Sequence, residues 1–133
     1  MLPRGRWAAR HPEIDSLAVQ AWKLREMATA AGTSDPVVLL SEAEARAVFV
    51  ELHPGQELGD HQVKEHAWIF VVDGAAEIGA GGERIDAPAG TLAHFEPDER
   101  HYVRSREGAK ILLLLAPWPG PGHYRGHDKP ETT

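Results

Sequence analysis

Residues 55–74 read GQELGDHQVKEHAWIFVVDG, with His61 and His66 standing just ahead of an apolar run that ends on Asp73-Gly74. A run of this length, rich in Val, Ile, Phe and Trp and bounded by turn residues, predicts a β-strand, HAWIFVVD. Two readings of the histidines stay open. They are metal ligands at the mouth of a β-barrel, or polar residues at the end of a strand.

Short apolar segments separated by Gly, Pro and Asp continue on both sides of this stretch. The predicted strands are VVLLS, ARAVFVELH, HAWIFVVD, AAEIGA, ERIDA, TLAHFE, HYVRSR and AKILLLLAPW, with PGQELGD, DG, GG, PAG, PDER and REG between them. That spacing predicts an all-β sandwich or barrel. The chain has no Asn, so Asp73-Gly74 and Gly81-Gly82 are the expected tight hairpins, because glycine takes positive φ without steric cost. WIFVV and ILLLLA are apolar on both faces and require cover on both.

Upstream of the strands, Ile14, Leu17, Ala18, Ala21, Trp22, Leu24, Ala28 and Ala31 recur at helical spacing, and Gly32 stands where a helix would stop. The pattern predicts one amphipathic helix over about 15–30 whose stripe, Trp22 included, packs on the domain. The division expected is an N-terminal extension over 1–34, a barrel over 35–118 and an irregular Pro/Gly-rich tail over 119–133, mobile in its last residues. One helix is little cover for two doubly apolar strands, which predicts a homodimer.

The chain has 133 residues, enough for one domain with a real core, and is 42% hydrophobic and 26% charged, as soluble globular proteins are. It has no cysteine, which fits a cytoplasmic location and removes thiolate nucleophiles and thiolate ligands. Histidine and carboxylate chemistry remains. No apolar window approaches the roughly 18 residues of a membrane span, and no signal-peptide core follows the basic first residues. A net charge of −6 without Lys/Arg clusters argues against nucleic acid as a partner and favours a small-molecule ligand. No nucleophile elbow, P-loop or dinucleotide fingerprint is present.

On two motifs the chain resembles the cupin superfamily, over roughly residues 37–116. Gly55, His61 and Gly74 fall at the spacing of the family's first motif, and Gly90, Pro97 and His101 supply its second. The resemblance implies a jelly-roll β-barrel and, in metal-binding members, one divalent ion held inside by two His and a Glu of the first motif and the His of the second. Here Val63 occupies the second His position and Ala67 the Glu position, so two of four ligands remain.

A stable Zn, Mn, Fe or Ni site wants at least three imidazole or carboxylate ligands. Replacements must come from Glu65, His66, His94 or His53. His66 faces outward if Ala67 faces inward, unless a one-residue bulge reverses the parity. His94 joins His101 only if Glu96 pairs with His101; if Phe95 does, it faces away. The metal set expected is therefore His61, His66, His101 and His94, with Glu96 beside the turn as the one acidic residue of interest. Tyr102 and Trp68 stack on a ligand or pack in core or interface, and His53, His11, His123 and His127 read as surface residues.

Two functions follow. One is a small metal-dependent cupin enzyme, of the dioxygenase, isomerase or cyclase kind, acting on a small molecule. The other is a metal-free small-molecule-binding or regulatory dimer, for which Val63 and Ala67 at ligand positions are an adaptation to an apolar guest.

Overall fold

A computed structural model describes residues 19–30, 32–33, 35–42 and 44–121, with the backbone alone at 60 and 61. Among the described residues there are eight strands: β1 (Val37–Glu42), β2 (Ala45–Leu52), β3 (Glu57–His61), β4 (His66–Ala80), β5 (Glu83–Pro88), β6 (Leu92–Phe95), β7 (His101–Arg104) and β8 (Ala109–Ala116). The hydrogen-bonded order is β1-β2-β8-β4-β7-β3, with β5 and β6 each pairing β4. All the pairings are antiparallel.

Strand β4 organises the molecule. Its first half pairs with β6 and β8, and its second half pairs with β5 and β7. The chain passes from one sheet to the other at Asp73-Gly74, where the register against β8 shifts between Val71 and Asp73. The expected hairpin there is thus a bulge inside one long strand. Gly74 has φ +79°, and a Cβ on it would overlap the carbonyl oxygen of Gly108. Glycine is required at 74 for the crossing. Gly81-Gly82 does form the two-residue hairpin, with φ +59° and +84°, joining paired Ala80 and Glu83.

Period-two alternation decides what lies inside. Ala67, Ile69 and Val71 of β4 pair with Leu115, Leu113 and Ile111 of β8, and with Val48, Val50 and Leu52 of β2 they form the interior cluster. Burying each large aliphatic side chain is worth about 1.5–3 kcal/mol. A one-residue slip would exchange this row for His66, Trp68 and Phe70, so the register is strongly fixed.

Two segments differ from expectation. GQELGDH contains β3, whose Glu57 and Leu58 pair with Arg104 and Val103, although Gly and Asp in it read as a loop. Over residues 19–30 the expected helix reduces to one 3-10 turn, Leu24–Glu26; positions 15–18 lie outside the described residues. Half of the stripe is alanine, and so short a helix is marginal without firm packing. The barrel captures the segment by polar contacts instead: Thr29 N donates to Glu51 Oε1 at 2.6 Å, and Lys110 Nζ donates to the Arg25 carbonyl at 2.6 Å. Trp22 stays 39% exposed rather than packed. The tail over 122–133 lies outside the described residues.

Candidate metal centre

Of the predicted histidines whose side chains are described, His101 lies on one face of the sheet and His66 and His94 on the other. On β4, Ala67 is buried and His66 points to the outer side, so the bulge that would have turned His66 inward does not occur. Strand β6 pairs β4, with Ala67 opposite Phe95 and Trp68 opposite His94. Phe95 is therefore buried and His94 exposed, beside His66 on the outer face. His101 is 2% exposed and stacks on Phe95 at 4.3 Å between ring centroids. His66 and His94 cannot join His101 inside the barrel, because strand parity sends them to the opposite side of the sheet.

On the outer face the two rings meet. His66 Nδ1 lies 2.9 Å from His94 Nε2, and Glu96 Oε1 lies 3.9 Å from His66 Nδ1. Ligand atoms of His66, His94 and Glu96 all fall within 4.8 Å of one another. Trp68 lies alongside, its ring 5.8 Å from that of His66 and 5.1 Å from that of His94.

The turn before β7 brings Glu96 to this place. Asp98 has φ +68°, a left-handed conformation that Asp tolerates better than most residues. Its N–H donates to the Val63 carbonyl at 2.7 Å and its carboxylate pairs with Lys64 at 2.9 Å. These bonds clamp the 96–100 turn on the loop leading into β4.

Two of the family's four ligand positions carry only carbon side chains. Ala67 is fully buried, and Val63 packs against the interior cluster. The Nδ1 of His101 lies 3.0 Å from the Glu99 carbonyl, which can only accept, so Nδ1 donates that bond. His61 pairs with His101 through its backbone. Glu65 is fully buried, and its Oε2 accepts the Gly120 N–H at 2.7 Å. With Val63 and Ala67 at two of its positions, the interior set does not fit the family's four-ligand site.

His53 is not a plain surface residue. Its side chain is 20% exposed, 3.9 Å from Glu51 Oε1, with Nε2 3.2 Å from Thr29 Oγ1. Its contacts come from the N-terminal segment, which no local pattern relates to it. His11, His123 and His127 lie outside the described residues.

On the second sheet, Tyr102 donates to Glu77 Oε2 at 2.7 Å and Arg104 to the same oxygen at 2.8 Å. The Tyr102 hydrogen bond, then that from Arg104, holds the Glu77 carboxyl below the usual carboxylate range; the same bond raises the Tyr102 phenol. The ring of Tyr102 lies over Gly79, where a Cβ would overlap it. Tyr102 is thus occupied within the fold.

The cupin domain model matches residues 48–116, more than half of the chain. No curated protein sequence matches it. Among solved structures, an uncharacterised conserved protein with a double-stranded β-helix domain from Klebsiella pneumoniae aligns with TM-score 0.69 and 23% identity, over 78% of this chain and 95% of that one. An RmlC-like cupin protein from Desulfovibrio desulfuricans aligns with TM-score 0.69 and 23% identity, over 75% and 98%. A conserved Streptococcus pyogenes protein of unknown function aligns with TM-score 0.67 and 20% identity, over 78% and 90%. Identities this low speak to the fold alone. With the family model spanning β2 to β8, the chain belongs to the cupin domain family.

Proposed function

We propose that the protein is a metal-binding cupin whose divalent ion is held by His66, His94 and Glu96 on the outer face of the barrel, not inside it. The observation carrying this reading is the approach of two imidazole nitrogens to 2.9 Å with a carboxylate oxygen 3.9 Å away. Two nitrogens bound to one tetrahedral zinc stand about 3.3 Å apart, given Zn–N bonds of about 2.0–2.1 Å. A small widening of the pair admits the ion in place of the shared proton. Two imidazoles and a carboxylate suit Zn, Mn, Fe or Ni and leave coordination positions open. A bound ion supplies Lewis-acid chemistry to a small oxygenated molecule.

Isothermal titration of zinc into untagged protein, with metal analysis, is the test. One ion per chain is expected, lost in His66→Ala and His94→Ala and bound at least about tenfold more weakly in Glu96→Gln. Affinity should also fall as pH is lowered, because protons compete for the same nitrogen lone pairs. Stoichiometric zinc that survives His66→Ala/His94→Ala but disappears in His61→Ala or His101→Ala would overturn the outer site in favour of an inner one.

The alternative, metal-free binding of a small apolar molecule, draws support from a cleft of about 170 Å³ between β5 and β6. Ile78, Ala80, Ile85, Ala93 and Phe95 line it, with Glu83, Arg84 and His94 also in its wall. A rise in melting temperature with an apolar ligand, unaffected by chelator, would favour that reading.

A further inference from the structure

His94 belongs to two features at once: the outer histidine pair and the wall of the cleft between β5 and β6. Strand register gives that cleft an apolar floor and a polar rim. Ile78 pairs with Ile85 and Gly79 with Arg84, so Ile85 stands on the side of the sheet that carries buried Ile78, and Arg84 on the other. On β6 the same alternation sends Phe95 inward and His94 outward. Arg84 and His94 therefore stand at the outer rim, one from each flanking strand. Ile85 is 49% exposed although its register partner is 3% exposed, which leaves apolar surface for a guest to cover. A cavity of about 150 Å³ holds benzene, so the cleft of about 170 Å³ holds a body the size of one ring.

The rim selects the guest's polar group. Glu77 Oε2 accepts from Tyr102 at 2.7 Å and from Arg104 at 2.8 Å, while Arg84 Nη1 stands 3.7 Å away on a side chain 69% exposed. Arg84 is the loosest of the three and can turn to another partner without leaving Glu77 unpaired. A guanidinium offers two parallel N–H donors, the geometry that a carboxylate accepts. Glu83 stands in the same wall and Glu96 beside His66, while neighbouring Lys64 and Asp98 pair with each other at 2.9 Å. Arg84 alone is outnumbered by the two glutamates. A divalent ion reverses the balance and leaves one positive charge over, enough for one carboxylate. Three protein donors also leave a tetrahedral ion one ligand short.

Resting on the metal reading above, we propose that this site takes a small monocarboxylate with a ring-sized apolar body. The body lies on Ile78, Ile85, Ala93 and Phe95, and the carboxylate at the rim spans Arg84 and the ion held by His66, His94 and Glu96. Ion and acid then bind as a coupled pair, each tightening the other.

Phenylacetate is the probe, and phenylacetamide its neutral counterpart. Calorimetric titration of phenylacetate into the full-length untagged protein, first zinc-loaded as checked by metal analysis and then in chelator, reads the coupling. Arg84→Gln and Ile85→Ala read the rim and the floor; both positions are exposed, and the second keeps the test valid if the first does not fold. The expected result is one phenylacetate per zinc-loaded chain, bound at least about tenfold more weakly in chelator and in Arg84→Gln, and several-fold more weakly in Ile85→Ala. Phenylacetamide should bind at least about tenfold more weakly than the acid. Zinc-loaded protein that takes up no phenylacetate, equal affinity in chelator, equal affinity for the amide, or unchanged affinity in Arg84→Gln would each overturn the carboxylate site while leaving the metal site standing. No zinc bound to the wild-type protein would overturn both.

Discussion

His94 and Phe95 are sequence neighbours that point to opposite sides of β6, and this alternation decides which chemistry each can join. Phe95 stacks on His101 inside, at 4.3 Å and an interplanar angle of 10°. His101, buried and bonded to the Glu99 carbonyl, acts as a core residue. His101→Ala should lose the stacked ring and leave a cavity and an unmet acceptor at Glu99, costing about 2–4 kcal/mol. Roughly 3–5 °C of melting temperature per kcal/mol is expected for a chain of this size. Zinc stoichiometry should stay at the wild-type value. Calorimetry with metal analysis checks both, and loss of metal from a stable variant would return His101 to the ligand set.

At the scale of elements, the second sheet is tied by one carboxylate that joins β4 to β5 and β7. Glu77 accepts from Tyr102 and Arg104 and lies 3.7 Å from Arg84. Those bonds depress its folded pKa below the unfolded value, the Tyr102 bond first. A carboxyl so shifted adds stability above its unfolded pKa and loses it as pH falls through the folded one. Glu77→Gln should therefore be less stable than wild type at neutral pH, with the gap closing below about pH 4. Urea denaturation across that range checks it, and a gap of constant size would refute the assignment. The same elements show what the sequence disclosed. The apolar runs WIFVV and ILLLLA between turn residues, the Gly81-Gly82 turn and the two motifs around His61 and His101 stand in the sequence itself, and they suffice for the barrel and its family. The helix over 15–30 was suggested by a stripe whose alanines give little area to bury. Asp73-Gly74 has the same local signature whether it closes a hairpin or carries a strand between sheets; the deciding contact, Gly108, is 34 positions away. Which partner β6 chooses fixed where His94 points, and no residue in TLAHFE encodes that choice.

For the whole molecule, two irregular segments hold opposite ends of the strands. The 24–29 stretch bonds Glu51 and Lys110, while residues 117–120 return across the entry to β4. Trp118 packs against the interior cluster beneath the Arg46 guanidinium, 4.3 Å from the ring centre, and its N–H donates to the Glu44 carbonyl. Gly120 comes so close to Lys64 that a Cβ would crowd its carbonyl oxygen at 2.6 Å, and the bond from its N–H to buried Glu65 fixes that approach. A buried carboxyl needs such a partner to offset the loss of water around it. Its removal should loosen the C-terminal segment before it opens the barrel. Glu65→Ala should lower stability by about 1–3 kcal/mol, speed hydrogen exchange at the Gly120 and Trp118 amides, and shift tryptophan emission to longer wavelength. Glu65→Gln, which keeps an acceptor oxygen, should do less of each. Native exchange rates at both amides in Glu65→Ala would mean that the segment is held by Trp118 packing and not by the carboxylate.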